Sequence, residues 1–126
     1  MQCYSLEKVK LDQSATIGQS AFKTCTALSE MVIRGGTLGT NMATGCTNLK
    51  RLIITGPSIP SIYTTTFNSS PLSTSPVASL SGGKVYVPES LYATYISTPV
   101  WSFFYNSDPT LNRFYSYSGS YPELED

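Results

Sequence analysis

The stretch CTNLKRLII, Cys46 to Ile54, repeats CTALSEMVI, Cys25 to Ile33, with cysteine, leucine and closing aliphatics in the same slots. A weaker copy, CYSLEKVKL, runs from Cys3 to Leu11. Aligned on Cys3, Cys25 and Cys46, the next anchors are Leu6, Leu28 and Leu49, then Val9, Met31 and Leu52, then Leu11, Ile33 and Ile54. The shared form is CxxLxxφxφ, with φ aliphatic. Its last two anchors alternate with an outward residue, the period of a short strand buried on one side. Self-similarity at a spacing of 21 to 22 residues marks a chain of stacked, equivalent layers. The one-residue difference in spacing belongs in a turn.

The half-unit before each cysteine repeats as well. TIGQSAFKTCTAL (Thr16 to Leu28) aligns with TLGTNMATGCTNL (Thr37 to Leu49), pairing Ile17 with Leu38 and Gly18 with Gly39. Ala21-Phe22 faces Met42-Ala43, a swap of small and large that roughly conserves volume between layers. An irregular or helical return to the next strand is expected here.

This pattern resembles the BspA-like class of leucine-rich repeat, whose units read roughly IGxxAFxxCxxLxxVxL; IGQSAFKTCTALSEMVI (Ile17 to Ile33) fits nearly every position. VYVPESLYATYISTPVWSFF (Val85 to Phe104) resembles the closing segment of such arrays. The resemblance implies a leucine-rich repeat solenoid of about four short parallel strands with a C-terminal helical cap. It also implies a non-enzymatic recognition module displayed on a cell surface; the compact length and missing leader fit a phage virion accessory as a second version, and a decoration or cementing subunit is the alternative.

Physical chemistry accounts for the closing segment independently. Val85, Tyr86 and Val87 supply a fourth strand, and Pro88 ends it and suits a helix start. Leu91, Tyr92, Tyr95 and Ile96 share one helical stripe, Pro99 stops it, and Trp101, Phe103, Phe104 and Tyr105 add bulk to seal the last layer. Residues 1–105 therefore read as array and cap, interrupted by a Ser/Thr/Pro-rich insertion at 57–83. Within it, Ile59, Ile62 and Phe67 look like the remnant of a further unit. Residues 106–126 read as a Tyr-rich tail with an acidic end, in which Phe114, Tyr115 and Tyr117 suit one more strand or a packed arm.

Composition narrows the function classes. Lys plus Arg equals Asp plus Glu, at 8 each, so the basic excess of a nucleic-acid binder is missing. No apolar run approaches the ~18 residues of a spanning helix, and the opening MQCYSLEKVK lacks the apolar core of a signal peptide. The chain has no histidine, which removes Ser-His and Cys-His nucleophile arrangements. Three cysteines without a CxxC pair do not make a zinc site. No cofactor or metal is expected.

Candidate sites follow from the layers. Cys3, Cys25 and Cys46, with Leu28 and Leu49, are expected as a buried structural ladder, since free cysteine is commonly buried and no base activates these. Lys8, Glu30 and Arg51 form an outward column of alternating sign, expected to be solvated, and Asp12 pairs with Arg34. A second outward column, Lys10, Val32, Ile53 and Tyr86, becomes apolar along the array. It reads as a strip for a protein partner or host surface, unless the chain's own loop or tail covers it. Tyr63, Tyr115, Tyr117 and Tyr121 offer further contact area. Leu6, Val9 and Leu11 begin the array without a covering layer, which predicts an assembly edge for self-association or packing against other subunits, or earlier repeats.

Overall fold

The computed structural model describes residues 6–11, 15–63, 65–67, 70, 72, 83–105, 107, 112 and 114–117. Its main sheet has five parallel strands in the order β1 (Lys8–Lys10), β3 (Glu30–Ile33), β5 (Arg51–Ile54), β6 (Lys84–Pro88) and β7 (Phe114–Tyr117). A second parallel ladder pairs β2 (Ala15–Ile17) with β4 (Gly36–Leu38). One short helix, α1 (Tyr92–Tyr95), follows a 3-10 turn at Glu89–Leu91.

The repeat is realised residue for residue. Val9 pairs with Met31, Met31 with Leu52, and Leu52 with Val85, so the third anchor of each unit forms one row. In the returns, amide hydrogen bonds from Ala21 to Gly18, Lys23 to Ser20, Cys25 to Phe22 and Leu28 to Cys25 recur 21 residues later. There they run from Met42 to Gly39, Thr44 to Asn41, Cys46 to Ala43 and Leu49 to Cys46. Even the left-handed backbone positions repeat: Ser20 (φ 60°) corresponds to Asn41 (φ 56°), and Thr24 (φ 62°) to Gly45 (φ 80°). Asn and Gly take this conformation readily, whereas a β-branched Thr does so at a cost. The extra residue of the first unit falls between β1 and β2.

The returns differ from expectation in carrying the β2–β4 ladder where irregular or helical structure was predicted. Ile17 and Leu38 alternate with exposed or half-buried neighbours, which is enough for three-residue strands once a second layer offers an edge. The insertion continues this wall. Ser61 bridges to Thr37, Leu38 N–H donates to the Ser61 carbonyl, and Ala43 N–H donates to Thr66. Ile62 and Phe67 stand five apart, as Ile17 and Phe22 do, and both are buried; Ile59 packs against the same core. Three residues after Phe67, Ser70 occupies the slot of Cys25 and Cys46 and donates to the Phe67 carbonyl at 2.7 Å. A third return is therefore present, with a hydroxyl in place of the thiol.

Close packing of layers explains two glycines. A Cβ on Gly56 would lie 1.7 Å from the Arg34 carbonyl oxygen, and one on Gly39 would lie 2.8 Å from the Gln19 amide nitrogen. Only a residue without a side chain lets those backbones meet.

At the far end an aromatic group closes the core. Tyr95 meets Trp101 edge-on at 5.1 Å, and Phe104 meets Phe114 at 6.0 Å. The Trp101 indole donates to the Pro60 carbonyl at 2.7 Å, tying the closing segment to the third return. Phe114 belongs to β7, which pairs with β6 from Val85↔Phe114 to Pro88↔Tyr117. Residues 114–117 thus form the further strand that Phe114, Tyr115 and Tyr117 suited, bringing the main sheet to five strands against about four expected for the array and cap. Pro88 leaves a gap that β7 fills. One layer earlier, Thr55 N–H donates to the Ile33 carbonyl at 2.8 Å; the equivalent donor to Ile54 would be residue 88, and proline has no N–H. The Tyr117 hydroxyl donates to the Ile54 carbonyl in its stead.

Candidate functional site

Strand alternation sends Met31, Ile33, Leu52, Ile54, Val85 and Val87 into the core, and the residues between them to the outer face. Cys25, Cys46, Leu28 and Leu49 are all buried inside. Both cysteines are free thiols, and the Cys46 thiol donates to the Phe22 carbonyl of the layer before at 2.9 Å. Cys3 lies outside the described residues, as do Asp12 and Tyr121.

The outer face differs from the sequence expectation at its centre. Val32 is 4% exposed and Ile53 0%, although neither belongs to the inward core cluster. Strand neighbours shield only the flanks of such side chains, so burial this complete requires chain laid over them. Lys10, Val32, Ile53 and Tyr86 do form one row, but they are no continuous apolar strip: Lys10 is exposed, the middle two are sealed, and Tyr86 is half-buried.

The charged column also departs from a solvated surface. Glu30 is buried, and its Oε1 lies 3.4 Å from Arg51 Nε across β3 and β5. A carboxylate withdrawn from water needs such a partner. Arg51 then has a second cation beside it, because Lys84 is its β6 partner. Like charges side by side repel; Lys84 turns its ammonium over the Tyr115 ring, 5.3 Å from the centroid.

Among the described residues, the accessible aromatic surface of the outer face lies at the β6–β7 end. Tyr86 and Tyr115 pack as a tilted pair with centroids 5.5 Å apart, Tyr115 is 40% exposed, and Lys84 is exposed beside them. Sequence reading included Tyr86 but missed Lys84 and the Tyr86–Tyr115 pair. The signal was the match between KVY (Lys84 to Tyr86) and the charged-aliphatic-outward phrase of β5. The layer after β6 keeps a leucine, Leu111, three residues before Phe114, but has no cysteine to announce it.

Along the start of the strands, Glu7, Ala27, Ser29, Asn48, Lys50 and Arg51 line an open cleft of about 370 Å³. Several of its polar groups are already engaged: Asn48 donates to the Thr26 carbonyl at 2.7 Å and Ser29 to the Glu7 carbonyl at 3.2 Å. Among the described residues no group of three His, Cys, Asp or Glu side chains could hold a metal, and no helix is long and apolar enough to cross a membrane.

Among the described residues, the clearly perturbed ionisable group is structural in setting. Burial pushes the Tyr95 hydroxyl well above the ordinary phenol range, with Tyr117 adding to the shift, and its oxygen has no hydrogen-bond partner. Comparison with protein-family models, curated proteins and solved structures finds no match to this chain.

Proposed function

We propose that the chain is a non-enzymatic recognition module, a right-handed solenoid of BspA-like leucine-rich repeats that binds a protein partner or host surface from a cell surface or a phage virion. The bond-by-bond recurrence of the returns supports the repeat reading. The observation that carries the functional reading is the Lys84–Tyr86–Tyr115 group, which stays accessible beside the sealed Val32 and Ile53. Paired tyrosine rings give large contact area at low entropic cost, and an adjacent cation adds polarity that selects among partners. The catalytic alternative lacks support, because the chain has no histidine and the buried carboxylate among the described residues, Glu30, is paired with Arg51.

The test is a Tyr86→Ser/Tyr115→Ser double variant, with retention on intact host cells or immobilised matrix proteins measured by flow cytometry or surface plasmon resonance. Binding should fall about tenfold or more, as for aromatic hot spots, with little change in melting temperature. Undiminished binding by the folded variant would remove these rings from the contact surface. The second reading, a decoration or cementing subunit of a virion or larger assembly, is favoured by one feature, the outer edge of β1.

A further inference from the structure

We propose that the cleft along the strand starts, lined by Glu7, Ala27, Ser29, Asn48, Lys50 and Arg51, is a binding site for an uncharged saccharide. This inference does not depend on what the Tyr86–Tyr115 surface binds.

The repeat builds this cleft. Leu28 and Leu49 are fully buried, so the leucine of each unit points inward. The residues on either side of it are left at the surface: Ala27 and Ser29 half-buried in one layer, Asn48 and Lys50 exposed in the next, and Glu7 exposed in the slot of Ser29 one layer before. Backbone bonds stack the layers at this point, from Ser29 N–H to the Glu7 carbonyl at 2.8 Å and from Lys50 N–H to the Ser29 carbonyl at 3.1 Å. Side chains on both flanks of an inward leucine row make a groove across the layers. Ala27 stands where the next layer has Asn48, and its short side chain leaves the groove open.

The polar groups here are held in place but only partly used. The Asn48 amide donates to the Thr26 carbonyl of the layer before at 2.7 Å, and the Ser29 hydroxyl to the Glu7 carbonyl at 3.2 Å. Each bond fixes a side chain through a donor and leaves its oxygen able to accept. Lys50 adds an exposed ammonium that can only donate, and Glu7 an exposed carboxylate that can only accept. Donors and acceptors therefore line the same small space. The slots are fixed by the repeat, but Glu7, Ser29 and Lys50 differ in chemistry, because no inner layer constrains them as it does Leu28 and Leu49.

Charge balance selects the class of ligand. Arg51 is paired with Glu30 at 3.4 Å, and the cation of Lys50 is matched by the carboxylate of Glu7. With no net charge the cleft has no field to favour an acidic or a basic peptide. A ligand dense in hydroxyls fits instead, since each hydroxyl both donates and accepts. The volume of about 370 Å³ stands at the small end of ligand sites, ~300–1,000 Å³. That is room for sugar rings, not for a folded partner, and the open side lets the rest of a saccharide chain leave.

Isothermal titration of the full chain with maltotriose, cellotriose, chitotriose and N-acetyllactosamine tests this, with pentaglutamate and pentalysine as the charged alternatives. At least one of the saccharides should bind with a Kd of about 1 mM or tighter, and high salt should leave that binding intact because no net charge drives it. Lys50→Ala removes an exposed donor, and Ala27→Arg fills the cleft. Each should weaken saccharide binding about tenfold or more, with an unchanged circular dichroism spectrum. Failure of every saccharide to bind, or tighter binding of either charged peptide, would overturn the proposal. So would saccharide binding undiminished in the folded variants.

Discussion

The two faces of the same strands follow different rules. On the inner face Met31, Leu52 and Val85, then Ile33, Ile54 and Val87, make rows of one chemical type, and every one is buried. On the outer face each row changes character along the sheet: Lys10, Val32, Ile53, Tyr86 and Tyr115 run from charge through sealed aliphatics to exposed rings. The inner rows repeat because every layer meets the same environment, the layer before and the layer after. Outer residues meet whatever the rest of the chain lays over them, and that differs from strand to strand.

The sharpest way to break this contrast is to truncate neighbours on opposite faces of β5. Leu52→Ala should cost ~2–5 kcal/mol, as buried leucines do. Because Ile53 is fully buried, Ile53→Ala should cost a comparable amount in chemical denaturation. A loss within ~0.5 kcal/mol, the usual range for surface positions, would return Ile53 to an open outer strip.

A smaller effect is expected where β7 reaches across β6 to β5. Tyr117→Phe removes the donor that serves the Ile54 carbonyl, and leaving a buried backbone acceptor unpaired costs ~1–3 kcal/mol. Pro88→Ala restores an N–H at the position where earlier layers have one. In a double-mutant cycle, the Tyr117 substitution should therefore be milder in the Pro88→Ala background. Equal losses in both backgrounds would show that hydroxyl and proline are not coupled.

The smallest effect is one of pH. Because burial raises the Tyr95 hydroxyl, the folded chain keeps a proton that the unfolded chain releases near pH 10. The unfolded state then binds fewer protons, so stability falls as pH climbs past that value and is unaffected below it. Tyr95→Phe should remove this loss and also gain up to ~1 kcal/mol at neutral pH by deleting an unpartnered buried oxygen. Denaturation midpoints at pH 7 and above pH 10 measure both; an alkaline loss unchanged in the variant would assign it elsewhere.

Legibility tracked the same division. Cys25, Cys46, Leu28, Leu49 and the strand aliphatics could be placed from spacing alone, and the cap residues Tyr95 and Trp101 from helical stripe and bulk. Ser70 escaped notice because a serine in the cysteine slot, inside a Ser/Thr-rich insertion, looks like composition. β7 was legible only as one more strand or a packed arm, because Leu111 stands in the leucine slot ahead of Phe114 but no cysteine precedes it. Lys84 and Tyr115 became partners only through the β6–β7 pairing.

By itself the sequence determined the period, the inward rows and the parallel alignment of layers, since equivalent neighbours impose equivalent side chains and a shift of one residue would turn the aliphatics to water. Only the tertiary structure decided which outward residues are covered, that Tyr117 supplies the bond Pro88 cannot, and where rings and cation remain accessible. Those outcomes depend on distant segments meeting once, and a contact made once leaves no repeat to read.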